Sequence, residues 1–160
     1  MVILGIDPGL VQTGFGLISI SNQKISCIDY GVIKPDKKAD LPNRLLTIHE
    51  DVGSIISKYS PKIVAIEDVF YGKNIKSALK LGQARGAAMV AAASINLPIY
   101  EYSARKIKQA VTGNGNATKE QIQFMVRNIL SLKVLPMPID ASDALAIAVC
   151  HCQQFREYDL

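Results

Sequence analysis

Apolar residues arrive in short, turn-bounded runs over the first 33 positions and at helical spacing over most of the remaining chain. Val2 to Ile6 reads as a buried strand, and "TGFGLISI" from Thr13 resumes extended character after a Pro-Gly turn, which predicts an antiparallel hairpin. A third strand is predicted near Ile25 to Ile33, followed by "KPDKKADLPN" (34–43), a polar, proline-punctuated connection. Leu45, Ile48, Val52, Ile55, Ile56 and Tyr59 then recur at the period of an amphipathic helix, which Pro61 closes. "KIVAIED" repeats the buried-strand pattern and ends on acids. A long helix is predicted from about Ile75 to Ser94, a strand at "PIYEY" (98–102), short helices over 103–111 and 118–130, and a last helix in "DASDALAIAVCHCQQF". Strands first as a meander, then alternating with helices, predict an α/β fold: a five-stranded mixed sheet covered by helices on both faces. The predicted domain spans residues 1–154, leaving 155–160 as a short polar tail open to disorder.

Composition fits that picture. At 160 residues, with 49% hydrophobic and 20% charged, the chain matches one globular domain with a real core. It contains no run of eighteen apolar residues, and its start lacks the basic region and cleavage site of a secretory signal, so the expectation is a soluble, cytoplasmic protein with no membrane partner. Cys150 and Cys152 straddle His151 in a helical stretch whose successive side chains diverge, and with Cys27 they read as packing thiols rather than a zinc site. A net charge of +4 is compatible with an anionic partner without demonstrating one.

The chemistry lies in the acids. Asp7 ends the first strand and Glu67 the fourth; if these strands are parallel neighbours, both carboxylates stand at the sheet edge where open α/β sheets place their ligands. In "PIDASDALAIAV", Asp140 is a good N-cap and Asp143, three residues on, shares its face of the helix. Each has an ordinary explanation as well, since Asp-Pro-Gly is a turn sequence and acids suit a helix start. Clustered together they do not, because like charges about 4 Å apart repel by roughly 4 kcal/mol at an effective dielectric of 20. An all-oxygen set suits Mg²⁺ or Mn²⁺, and two such ions would balance four acids and serve in-line phosphodiester hydrolysis.

"GIDPGLVQTGFGLI", "AIEDVF", "SALKLGQARGAA" and "DASDALAIA", in this order and at this separation, resemble the RuvC family of Holliday junction resolvases. The resemblance spans residue 2 to about 154 and implies an RNase H-like fold. It implies that Asp7, Glu67, Asp140 and Asp143 are the catalytic, metal-binding acids, that Lys108 and Lys119 assist them, and that Phe70 stacks on an opened base at the crossover. It further implies Mg²⁺ as cofactor, a homodimer that cuts two opposed strands of a four-way DNA junction, and the RuvA–RuvB branch-migration complex as partner.

The same positions have readings of their own. Lys73, Lys76 and Lys80 recur on one helix face just beyond Glu67, where a phosphate backbone would pass, although a solvated face explains them equally. Arg85 of the same helix is counted with them as a DNA contact, and Phe70 and Tyr71 are either core aromatics or base-stacking groups. In "TGNGNATKEQ", Gly113, Asn114 and Gly115 favour tight backbone, while Thr118 and Gln121 have capping-box spacing that makes Lys119 the first helical residue, a phosphate site or a plain cap. Cutting opposed strands with one site per chain needs two chains about a two-fold axis. The helix with Gly82 and Gly86 either forms that interface or packs its small face on its own sheet. The rivals are an actin-like ATPase domain suggested by Asp-Pro-Gly and "TGFG", a YqgF-type RNA-processing nuclease, and a junction-binding module that no longer cuts.

Overall fold

A computed structural model describes residues 1–68, 72 and 74–158, with side chains through Phe155. Phe70, Tyr71 and Lys73 lie outside the described residues. The meander forms as the apolar runs predict: β1 (Val2–Asp7), β2 (Thr13–Ser21) and β3 (Lys24–Ile33) pair antiparallel. β4 (Ile63–Glu67) lies parallel to β1, and β5 (Ile99–Tyr102) parallel to β4, giving the order β3-β2-β1-β4-β5. The helices are α1 (Leu41–Tyr59), α2 (Ile75–Ala93), α3 (Ala104–Thr112), α4 (Lys119–Ile129) and α5 (Ile139–Tyr158).

Three boundaries differ from the sequence reading. α1 begins inside the supposed connection: Asp40 caps it by accepting from the Asn43 N–H at 3.1 Å, and Pro42 occupies the first turn, where a missing N–H costs nothing. α5 begins at Ile139 because the Ala141 and Ser142 N–H groups reach the Pro138 carbonyl at 3.0 and 3.3 Å. Asp140 is therefore a first-turn residue rather than the cap, and its side chain is left to other work. The same helix runs on through Tyr158, three residues beyond the predicted helical stretch.

Strand alternation divides the core in two. Leu4, Ile6, Leu17, Val64 and Ile66 face α1 and α2, whose Ile48, Val52, Ala84 and Ala88 pack against them. Ile3, Ile18 and Ala65 face α3, α4 and α5. Under α5 the strands carry glycines, and the helix comes down onto strand backbone. A Cβ added to Gly5 would stand 2.1 Å from the Ala144 carbonyl oxygen, one on Gly14 2.0 Å from that of Asp140, and one on Gly16 2.7 Å from the Leu145 nitrogen. No side chain fits there. Cys150, His151 and Cys152 are buried in α5, with the His151 Nδ1 2.7 Å from the Tyr102 hydroxyl, so the expected packing role holds for this segment. Burial lowers the His151 pKa to about 4 and keeps the ring neutral.

Candidate active site

The parallel pairing of β1 with β4, in register through Ile6 and Ile66, carries Asp7 and Glu67 out of the sheet at the same edge. The glycine floor sets the first turn of α5 against that edge. One carboxylate oxygen each from Asp7, Asp140 and Asp143 consequently lie within 4.8 Å of one another, although the residues come from opposite ends of the chain. Glu67 joins them in lining a cavity of about 340 Å³, which Lys108 and Lys119 line as well.

The turn that delivers Asp7 is braced internally. The Thr13 hydroxyl donates to the Gly9 carbonyl at 2.8 Å and accepts from its N–H at 3.2 Å, and Arg44 of α1 donates to the Leu10 carbonyl at 2.8 Å. On the other wall, the capping box of Thr118 and Gln121 starts α4 at Lys119, as its spacing predicts. Lys119 does not wait at a free helix end: its Nζ donates to Asp143 at 3.0 Å. Gly113 takes the left-handed conformation that closes α3, with φ of 76°. Gly115 keeps a negative φ, and what it needs is room, since an added Cβ would stand 2.9 Å from the Arg105 side chain.

Crowded acids in a half-buried site resist ionisation. Burial, then the charges of Asp143, Glu67 and Asp140, push Asp7 up to about 8 against the pull of Lys119. Burial and Asp143 also raise Glu67, with Lys119 and Lys108 opposing. Asp143 is raised by burial, and the hydrogen bond and charge of Lys119 restrain it. Burial works against the Lys119 ammonium, but its bond to Asp143 and the neighbouring carboxylates hold its pKa above the ordinary value. Two lysines do not balance four acids. An all-carboxylate donor set that holds a proton for want of positive charge suits a hard divalent cation, which would displace that proton.

Sequence reasoning missed Gln12. It lines the cavity and its side-chain amide donates to the Asp140 carboxylate; a polar residue in the turn just after Asp-Pro-Gly was the available signal. Lys76 and Lys80 are exposed on α2, beyond the cavity lining. Arg85 differs from them. Its side chain is 15% exposed, and its guanidinium is engaged with Glu101, Asp68 and the Glu67 main chain. Among the described residues, nothing outside their own helix turn lies within 4 Å of a Cβ added to Gly82 or Gly86, so the small face of α2 is not packed on the sheet; the alanines Ala84, Ala88, Ala91 and Ala92 are.

Comparison with known proteins gives a consistent answer. A family profile described as crossover junction endodeoxyribonuclease RuvC matches residues 3–151. The RuvC of Natranaerobius thermophilus is 46% identical over 156 residues, covering 98% of this chain and 97% of that one. That of Citrifermentans bemidjiense is 50% identical over 151 residues, covering 94% and 92%. Among solved structures, Thermus thermophilus RuvC in complex with a Holliday junction substrate superposes with a TM-score of 0.92 at 36% identity, covering 99% of this chain and 96% of that one. A yeast mitochondrial Holliday junction resolvase shares the fold at a TM-score of 0.66 and 12% identity. With the fold RNase H-like, four acids gathered at one sheet edge and relatives matching from end to end, this chain belongs to the RuvC family of crossover junction endodeoxyribonucleases.

Proposed function

We propose that this chain resolves Holliday junctions, hydrolysing one phosphodiester in each of two opposed strands and leaving ligatable 5′-phosphate and 3′-hydroxyl ends for recombination and repair. The observation that supports this most is the convergence of Asp7, Glu67, Asp140 and Asp143 on one cavity beside two lysines. Those four acids would hold Mg²⁺, two ions per site, with Mn²⁺ as a substitute. Bound divalent ions supply positive charge to a phosphodiester and activate water towards it. Lys119, anchored on Asp143, and Lys108 present ammonium groups to the phosphate oxygens as negative charge grows on them. Because Asp7 and Glu67 are strand-end residues of a sheet buried on both sides, the ligand set needs little rearrangement during the reaction.

Phe70, Tyr71, Lys73, Lys76 and Lys80 are assigned to the DNA surface, the lysines to its phosphates and Phe70 to an unpaired base. The working unit is a homodimer, because a junction with near two-fold symmetry presents two scissile strands to one site per chain. The uncovered α2 face, with Gly82, Gly86 and the exposed Leu79 and Val90, is its proposed interface. RuvA–RuvB is the proposed motor partner and the cytoplasm the proposed location; among the described residues no helix is long and apolar enough to cross a membrane. The test compares a four-way junction, linear duplex and RNA–DNA hybrid at equal concentration, in Mg²⁺ and in EDTA, with product ends sequenced. Paired symmetric nicks in the junction alone, and only with metal, are expected. Binding in both conditions with nicks in neither would make the chain a junction-binding module instead.

A further inference from the structure

Glu67 stands at a weak point of the sheet. It is the last residue of β4, its strand partner Tyr102 is the last of β5, and the ladder closes with the Asp68 N–H on the Tyr102 carbonyl at 2.8 Å. Strand ends fray unless something else holds them. Here something does: Nε of Arg85, reaching down from α2, donates to the Glu67 main-chain carbonyl at 3.1 Å, and a terminal nitrogen of the same guanidinium lies 2.6 Å from Glu101 of β5 and 3.6 Å from Asp68. A guanidinium is rigid and planar, so a hydrogen bond from Nε to β4 and an ion pair from the terminal nitrogen to Glu101 of β5 together tie the two strand ends to each other and to α2.

We propose that Arg85 is a positioning residue, holding the Glu67 main chain in the place from which its carboxylate reaches the metal cavity, and that Glu101 braces it. This rests on the nuclease reading of the cavity. The alternative role, a contact with a DNA phosphate, suits the geometry poorly. One guanidinium shared by two carboxylates leaves the locality without surplus positive charge, and a side chain 15% exposed offers little to a passing strand. The effect on Glu67 is exerted through the backbone, so it depends on the fork and not on charge alone. Lysine can supply the charge for Glu101 but not, at the same time, an Nε donor held in a fixed plane towards the Glu67 carbonyl.

That difference makes Arg85→Lys the decisive variant, with Arg85→Met and Glu101→Gln beside it. Three quantities are read for each: junction affinity in EDTA, kcat at saturating junction in Mg²⁺, and the rise in melting temperature that Mg²⁺ alone produces. For Arg85→Lys and Arg85→Met, kcat is expected to fall about 10- to 100-fold, the usual range for groups that orient metal ligands, while junction affinity stays within about 2-fold. The Mg²⁺-induced thermal shift should shrink in parallel. Glu101→Gln should show the same split to a smaller degree, since the bond to the Glu67 carbonyl survives. Wild-type activity in Arg85→Lys would overturn the proposal. So would a loss of junction affinity in Arg85→Met that matches its loss of rate and lowers the salt slope by about one, which marks a phosphate contact. A lower melting temperature with kcat and Mg²⁺ response intact would reduce Arg85 to a structural tie, also overturning it. If Arg85→Met does not fold, Arg85→Lys and Glu101→Gln still decide. Failure of the wild type to cut any junction would instead remove the nuclease reading itself.

Discussion

On the α1–α2 side of the sheet, β1 and β2 present Leu4, Ile6 and Leu17 to the helices; on the α5 side the same two strands present Gly5, Gly14 and Gly16. The first side is an ordinary close-packed core, in which side chains set the helix spacing and a changed volume is absorbed by neighbours. On the second, helix backbone rests on strand backbone at these three glycines, while Ile3 and Ile18 pack beside them. Asp140 and Asp143 are thus fixed relative to Asp7 by main-chain contact, and that side carries the chemistry. Metal ligands must hold their places within a fraction of an ångström, and backbone contact has less slack than a layer of leucines.

The largest effect should come from the acid at the centre. Asp7→Asn is expected to lower junction cleavage by at least about 10³-fold while leaving junction binding intact; joint loss would make Asp7 structural. The same substitution has a pH signature. Because the folded protein holds the Asp7 proton up to about 8 whereas the ordinary carboxyl value is 3.8, the metal-free wild type loses stability as pH rises between those values. The excess of Asp7→Asn over the wild type in metal-free melting temperature should therefore be larger just above the folded value than just above the ordinary one. Divalent binding, which must expel that proton, should strengthen over the same rise in pH, a trend calorimetry would read.

A paired test addresses the two faces directly. Gly14→Ala forces a Cβ onto the Asp140 carbonyl, and overpacking of this kind costs about 1–3 kcal/mol or more. Leu17→Ala on the opposite face should cost about 2–5 kcal/mol through the cavity it leaves. Per folded molecule, Leu17→Ala should keep its kcat and Gly14→Ala should lose most of it. Equal kcat in the two would break the distinction drawn between the faces. Lys119→Met comes next, with kcat falling about 10- to 100-fold and junction affinity changing by less than about 3-fold; equal losses would assign Lys119 to general phosphate attraction. The smallest effect belongs to Gly53, in α1, where an added Cβ meets nothing within 4 Å among the described residues outside its own helix turn. Gly53→Ala should raise stability by up to about 1 kcal/mol in urea unfolding, with cleavage unchanged.

Much of this was legible beforehand because the relevant signals are local. Strand burial, helix period, the Thr118–Gln121 box and the acids closing two strands each depend on a few consecutive side chains. The sequence was insufficient where a neighbour in space decided. Asp140 has the look of a cap, but the Pro138 carbonyl starts the helix, and nothing local to Arg85 announces its pairing with Glu101. Gly5 reads as an ordinary strand residue, and "TGFG" as extended chain or a hint of an ATPase domain; Gly5, Gly14 and Gly16 are the seat of a helix more than a hundred residues away.

By itself, then, the order of residues determined which segments extend, which coil, and which carboxylates close buried strands or open the last helix. Only the folded arrangement decided that Gln12 reaches Asp140, that Lys119 reaches Asp143, and that Arg85 donates to the Glu67 carbonyl. The reason is one of range. Backbone propensity and side-chain period act over a handful of bonds, whereas close approach and charge pairing act between surfaces that meet only once the chain has closed on itself.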